Sequence, residues 1–251
     1  MKRPLKMTLN FFVLAVVMAP LMINTSPKDT TKTNMTIWGS TGQYALIDRG
    51  CSGEILREKG IGFGEMGLKL SQENKKTEVG ILAHLTSDQK EVEEERHDPN
   101  YGYYSVYSYP RQFGFALNPF VEIRGHYVGV GFGFLASGSQ LAKLIDEKGV
   151  HFMPSFHLRF GNLQSLYLDA SLFQHPWLYA GNYLRIGLGS KKSSTFHPWF
   201  GVGFGPADKP GFIGKGTFLL NPKISLQAIV RIGASTGILE PAVGLGVTYR
   251  K

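Results

Sequence analysis

Ser155 and His157 stand two residues apart, and Asp169 follows in the next segment of the chain. A hydroxyl beside an imidazole that a carboxylate orients is the arrangement that deprotonates a serine for nucleophilic attack. In an extended chain alternate side chains share a face, so Ser155 and His157 would sit side by side. A second group is larger. Glu78, Glu122, Arg124, Arg159, Asp169, Arg185, Lys215 and Arg231 all fall on the polar phase of alternating segments, and Lys223, His84, His151 and His157 extend the set. Charges gathered on one face of a closed structure have two uses. They pair with one another and fill the interior, because unpaired charges in a confined space are costly. Alternatively they line a watery path, and an excess of basic groups then favours anions.

Other chemistry is thin. His126, His175 and His197 are scattered, with no H-x-x-H or H-E-x-x-H spacing, so no metal site and no other cofactor is expected. Gly129-Val130-Gly131 and Gly201-Val202-Gly203 lie within strand-like segments with no helix after them, which excludes a phosphate cradle. The repeated His-Pro-Trp at 175–177 and 197–199 reads as chance. Cys51 is alone, so no internal disulfide can form. It follows Asp48-Arg49-Gly50 rather than aliphatic and small residues, which makes it an incidental loop thiol and not a lipid-attachment site.

The elements that must position these groups are strands. In the last segment Val243, Leu245, Val247 and Tyr249 alternate with Ala242, Gly244, Gly246 and Thr248. The same pattern recurs with Val128, Val130, Phe132 and Phe134 against Gly129, Gly131 and Gly133, and with Ile224, Leu226, Ala228, Val230 and Ile232 against Ser225, Gln227, Arg231 and Gly233. Twelve segments are expected, at 38–48, 60–71, 76–86, 112–124, 126–137, 150–161, 164–173, 182–190, 196–205, 211–220, 223–234 and 239–250, with ten as the smaller alternative. Each is close to the ~9–11 residues that a tilted membrane strand needs. In the second, the apolar phase changes from Ile61 and Phe63 to Met66, Leu68 and Leu70, which predicts a β-bulge near Gly64-Glu65.

The connections alternate in length, long ones at odd positions and tight turns at even ones, as at 162–163 and 221–222. Membrane barrels have short turns on one side and longer loops on the other, whereas a soluble sandwich has no reason to sort its loops by parity. The longest connection, 87–111, is acidic and then tyrosine-rich and belongs outside the membrane. The face opposite the apolar one is dominated by glycine, which suits the crowded inside of a narrow barrel better than a solvated sheet. Phe134, Phe152, Phe204 and Phe212 near one set of strand ends, and Phe160, Phe196 and Tyr249 near the other, fit two aromatic girdles.

The N-terminus adds a compartment. Lys2, Arg3 and Lys6 precede an apolar run from Phe11 to Ile23, so residues 1–25 read as a signal peptide, with an uncleaved anchor as the alternative. Removing them takes three positive charges and lowers the net charge from +8 to about +5. Residues 26–36 are expected to be a flexible segment and 37–251 the barrel. The basic residues are dispersed, which argues against a nucleic-acid partner.

On the signal peptide, the loop parity and the strand Val243-x-Leu245-x-Val247-x-Tyr249, the chain resembles the bacterial outer-membrane β-barrel proteins, the porin-like and small-barrel group. The resemblance covers nearly all of the mature chain and implies an all-β, antiparallel up-and-down transmembrane barrel with both termini in the periplasm. It also implies contact with outer-membrane lipid and lipopolysaccharide, and recognition of the C-terminal strand by the barrel-insertion machinery. Arg250 and Lys251 depart from that pattern by following the terminal aromatic residue. The function expected is structural or that of a passive pore for small solutes with anion preference. Two alternatives are a lipid-acting barrel enzyme of the deacylase or phospholipase kind and a soluble exported β-barrel that binds an apolar ligand. The deacylase pattern is His-x-Ser followed by Asn. Here the order is reversed and the pair faces the interior, so no enzyme is expected.

Overall fold

In the computed structural model the described residues are 31–49, 55–89, 92–98, 102–138, 150–176, 184–204, 210–234 and 239–251. Residues 1–30, with the run expected to be a signal peptide, and Cys51 lie outside them. The strands are β1 (Lys32–Arg49), β2 (Ile55–Glu73), β3 (Thr77–Gln89), β4 (Val92–Asp98), β5 (Gly102–Ser108), β6 (Arg111–Arg124) and β7 (Val128–Gly138), then β8 (Val150–Gly161), β9 (Tyr167–Leu172), β10 (Leu184–Gly189), β11 (Phe196–Phe204), β12 (Pro210–Asn221), β13 (Ile224–Ala234) and β14 (Leu239–Arg250). Twelve of them form a closed antiparallel barrel in which each strand pairs with its neighbours in sequence, except that β3 pairs directly with β6. Between those two, β4 and β5 form a separate hairpin.

Closure is made by β1 and β14, from Asn34 opposite Arg250 to Gly42 opposite Ala242. The turns at one end share a device. The side-chain oxygens of Asn74, Asn162 and Asn221 accept from backbone N–H groups two or three residues on. Asparagine favours tight turns because it can close such a ring itself. The chain ends meet at this same end, where Thr33 and Lys251 exchange two backbone hydrogen bonds.

The two faces of the wall are inverted relative to a soluble protein. Val243, Leu245 and Val247 point outward and are exposed, and so are Phe113 and Phe212, at 77% and 75%. A contiguous apolar exterior of this extent is matched by hydrocarbon and not by water. On this outer wall Gly39, Thr41, Gly64 and Ser87 leave a cavity of about 710 Å³ bordered by Met66 and Leu245. The inner face carries its own core, in which Trp38, Ile61, Leu82, Leu135, Trp199, Ile213 and Ile229 are almost wholly buried.

Glycine makes this packing fit. A Cβ on Gly67 would collide with the Trp38 indole, and one on Gly187 or Gly201 would lie 2.5 and 2.6 Å from the Trp199 ring. Gly187 and Gly201 also face each other across β10 and β11. The bare phase seen in the sequence is a set of sockets for large inward side chains.

Four expectations are corrected. No bulge occurs at Gly64-Glu65: the register with both neighbours runs unbroken there, and the irregularity of β2 lies opposite Asp48/Arg49. Ile61 and Phe63 are apolar on the polar phase because they belong to the inner core. The segment 26–36 is not wholly outside the barrel, since residues 32–36 are already in β1. The connection expected at 87–111 is shorter, because β3 continues to Gln89 and β6 begins at Arg111, and it carries the β4–β5 hairpin. Lys223 does not face inward; it is exposed in the turn before β13.

Replacing Val230, which is outward in mid-strand, by Arg should cost about 2–4 kcal/mol in urea titrations of protein folded into vesicles. Lys223→Gln in the turn should be neutral. Gly187→Ala should cost about 1–3 kcal/mol by overpacking. Gly214→Ala should not, since the nearest atom to its Cβ is the Phe200 ring at 3.7 Å.

Candidate functional site

The inner face is layered. Toward the short-turn end, Arg124 at the close of β6 donates from Nη1 to Glu73 Oε2 at 2.6 Å, from Nε to Glu122 Oε1 at 3.3 Å, and from Nη2 to Glu78. Lys69 Nζ lies 2.7 Å from Glu78 Oε1, which also accepts from Ser71 Oγ at 2.6 Å. His157 continues the chain, with Nδ1 3.5 Å from Glu122 and Nε2 3.1 Å from Asp169. The result is one network across β2, β3, β6, β8 and β9. Neighbouring strands bring these groups together because all occupy the inward phase, as the direct pair Glu78–Glu122 shows. Two carboxylates opposite each other repel unless cations sit between them, and Arg124 and Lys69 do so here.

Above this lies the aromatic and aliphatic core, with Trp38 edge-on to His84 at 5.2 Å between ring centroids. His84 Nδ1 is 3.0 Å from Glu65 Oε1, and Ser40 Oγ donates to the other oxygen of Glu65 at 3.1 Å. Toward the long-loop end Arg231 Nη2 donates to Glu240 Oε2 at 2.8 Å, and both side chains are fully buried. Gly211 and Gly233 leave the space that Arg231 occupies.

The chain after β9 turns into the barrel. Phe173, Gln174 and His175 are buried, and the Phe173 carbonyl accepts from Asn118 Nδ2 at 2.7 Å. Phe173 adopts a φ of 55°, a left-handed conformation that is strained for a bulky residue. Gly131 accommodates the segment, since a Cβ there would meet the Gln174 amide at 2.6 Å. Loop parity puts the connection that follows segment 164–173 on the long-loop side, and its first residues, Gln174 and His175, instead turn inward as a plug.

All eight sequence-predicted residues lie on the inner face. Glu78, Glu122, Arg124 and Asp169 come together in the network. Arg231 pairs separately with Glu240, and Arg159 donates to the Gly125 carbonyl at 2.9 Å. Arg185 packs on the Trp199 ring, 5.1 Å from its centroid, and Lys215 stands opposite Trp199 across β11 and β12. Lys69, Glu73, Glu65 and Glu240 were missed. Their inward phase was legible, but for Lys69, Glu73 and Glu65 the expected bulge broke the alternation of β2, and Glu240 stands at the very start of β14. The Ser–His arrangement does not assemble: Ser155 Oγ donates to Asn118 Oδ1 at 2.9 Å, and both His157 nitrogens face carboxylates.

No family model matches the chain. No curated protein matches it in sequence. Among solved structures it is similar to outer membrane phospholipase A from Escherichia coli, with 11% identity over 86% of this chain and 92% of that one at a TM-score of 0.40. The toluene transporter TbuX of Ralstonia pickettii shares 8% identity over 88% and 89% at 0.42. The NanC porin shares 11% over 84% and 98% at 0.42. What defines the molecule is its own geometry, a transmembrane twelve-stranded barrel with a filled interior.

Arg124→Gln would leave three carboxylates without their common partner. Because Arg124 is partly exposed and the carboxylates keep Lys69, His157 and Arg250, a loss of about 1–3 kcal/mol is expected, read as a lower urea midpoint in vesicles. An unchanged midpoint would mean that the carboxylates are solvated without it.

Proposed function

We propose that this protein is an outer-membrane barrel whose lumen is closed in the state described, with a structural role that holds the β4–β5 hairpin on the cell surface. The observation that carries the reading is the mid-barrel core: Ile61, Leu135 and Ile229 are wholly inaccessible, and Trp38, Phe120, Phe173 and Trp199 are at most 5% exposed. A continuous water path would wet these side chains, and a pore that selects solutes needs such a path. The apolar exterior supports a membrane location, and the basic run before the apolar N-terminal segment supports export. The lipid and lipopolysaccharide of the outer membrane are then its surroundings. The C-terminal strand β14, with Tyr249 outward near its end, is the element offered to the insertion machinery.

The hairpin is the exposed feature of this fold that most resembles a contact surface. Glu93, Glu94 and Glu95 lie on β4, and Glu93 accepts from Ser105 and Tyr107 of β5 at 2.6 and 3.0 Å. Those bonds tie β4 to β5 in the hairpin separate from the barrel.

Purified protein in planar bilayers should be silent at all salt concentrations; ohmic conductance would overturn the closed reading. In cells, the protein should fractionate with the outer membrane. An epitope inserted at Pro99 should be labelled on intact cells and one between Asn221 and Lys223 only after permeabilisation. Recovery in the soluble periplasm would end the membrane reading, and reversed labelling would invert the topology.

A further inference from the structure

Arg185 is 6% exposed, and its Nε and Nη1 atoms have no hydrogen-bond acceptor. Among the described residues no carboxylate lies within ion-pair distance of it. Asp169 and Tyr167 are the acidic groups in electrostatic range, and Asp169 is already hydrogen-bonded to His157 at 3.1 Å. A buried lysine or histidine can escape such a position by losing its proton. A guanidinium cannot, so its charge must be answered by something else.

The groups around Arg185 are donors as well. Ser171 stands directly opposite it across β9 and β10 on the same inner face, and its hydroxyl is buried without a partner. The Trp199 indole, on which Arg185 packs, has its N–H buried and unpartnered. Lys215 is opposite Trp199 in the next strand, and His175 of the plug is within electrostatic range of Arg185. Four consecutive strands, β9 to β12, therefore present Ser171, Arg185, Trp199 and Lys215 to one region of the interior. Inner-face carboxylates have cations or imidazoles of their own: Glu73, Glu78, Glu122 and Asp169 in the network of Arg124, Lys69 and His157, Glu65 at His84 and Glu240 at Arg231.

We propose that Arg185, with Ser171 and Trp199, forms a binding site inside the barrel for a small oxyanion of the phosphate class. An oxyanion docks on one edge of a guanidinium by paired N–H···O bonds, a geometry a spherical halide cannot match, and leaves oxygens over for the neighbouring hydroxyl and indole N–H. His175 of the plug is in electrostatic range of the site, and binding does not require a conducting lumen. Access follows from movement of the segment Phe173–His175, which is held by the strained Phe173 and leaves both ends of the Gln174 amide without partners.

The test uses the full barrel in detergent, with Trp38 and Trp177 replaced by Phe so that Trp199 alone reports. Inorganic phosphate is titrated at constant ionic strength against chloride, and bound phosphate is counted on unmodified protein by equilibrium dialysis. A saturable change in Trp199 emission and one phosphate per chain are expected. Arg185→Gln and Arg185→Lys should each bind at least about tenfold more weakly, as expected for losing charged hydrogen bonds. Arg96→Gln on the exposed hairpin should bind like the parent. Folding is checked by altered gel mobility before boiling. If Arg185→Gln does not fold, Arg185→Lys and the stoichiometry of the unmodified protein decide. No saturable binding to the unmodified protein would overturn the proposal. So would equal binding by the Arg185 variants, which would mean an adventitious ion only.

Discussion

The ladder between β1 and β14 is the interaction on which the rest depends. Surrounded by hydrocarbon, an unpaired backbone N–H or C=O costs several kcal/mol, and a sheet avoids that cost only by closing on itself. From Asn34 opposite Arg250 to Gly42 opposite Ala242, the first and last barrel strands satisfy each other. Closure also fixes the inside and outside of every strand at once, because side chains alternate and the register cannot slip by one residue without turning the whole wall inside out. The outward row Val243, Leu245 and Val247 and the inward row Ala242, Gly244 and Gly246 are two readings of that single constraint.

Once closed, a twelve-stranded wall encloses a volume that must hold either water or side chains, and this chain fills it. The inward indoles of Trp38 and Trp199 reach across the wall because their neighbours Gly67, Gly187 and Gly201 have no Cβ to stop them. Glycine weakens an isolated strand, yet here its absence of a side chain lets a neighbour pack. The large aromatic groups then recover burial that the small ones forgo. Phe173 adds its ring from a loop that turns inward, at the expense of a strained backbone.

Charge is divided unevenly within that filled interior. Near the short turns, cations and anions alternate from Lys69 through Glu78 and Arg124 to Glu122, and His157 stands between Glu122 and Asp169. Toward the long loops the pair Arg231 and Glu240 is sealed completely. Between them the side chains on β9 to β12 are rich in donors. An interior of low dielectric amplifies both the attraction of matched groups and the cost of unmatched ones, so this asymmetry sets where chemistry can happen.

The period of two was enough to place all twelve barrel strands and to assign the lipid-facing side, because each strand needs only its own residues to reveal an apolar face. Strands β8 and β14 were located to the residue. The same phase put Glu78, Glu122, Arg124, Arg159, Asp169, Arg185, Lys215 and Arg231 on the inner face. What the sequence could not decide is which of them meet. Arg124 gathers Glu73 and Glu78 from two other strands beside Glu122 of its own, and that depends on the stagger of the closed sheet, which no single strand encodes. Ile61 and Phe63 looked like a change of phase because alternation records polarity, and only the closed barrel shows an apolar inner core for them to join. The plug is the extreme case. Phe173, Gln174 and His175 carry no local signal for turning inward, since what holds them there, Asn118 and the socket over Gly131, comes from distant strands.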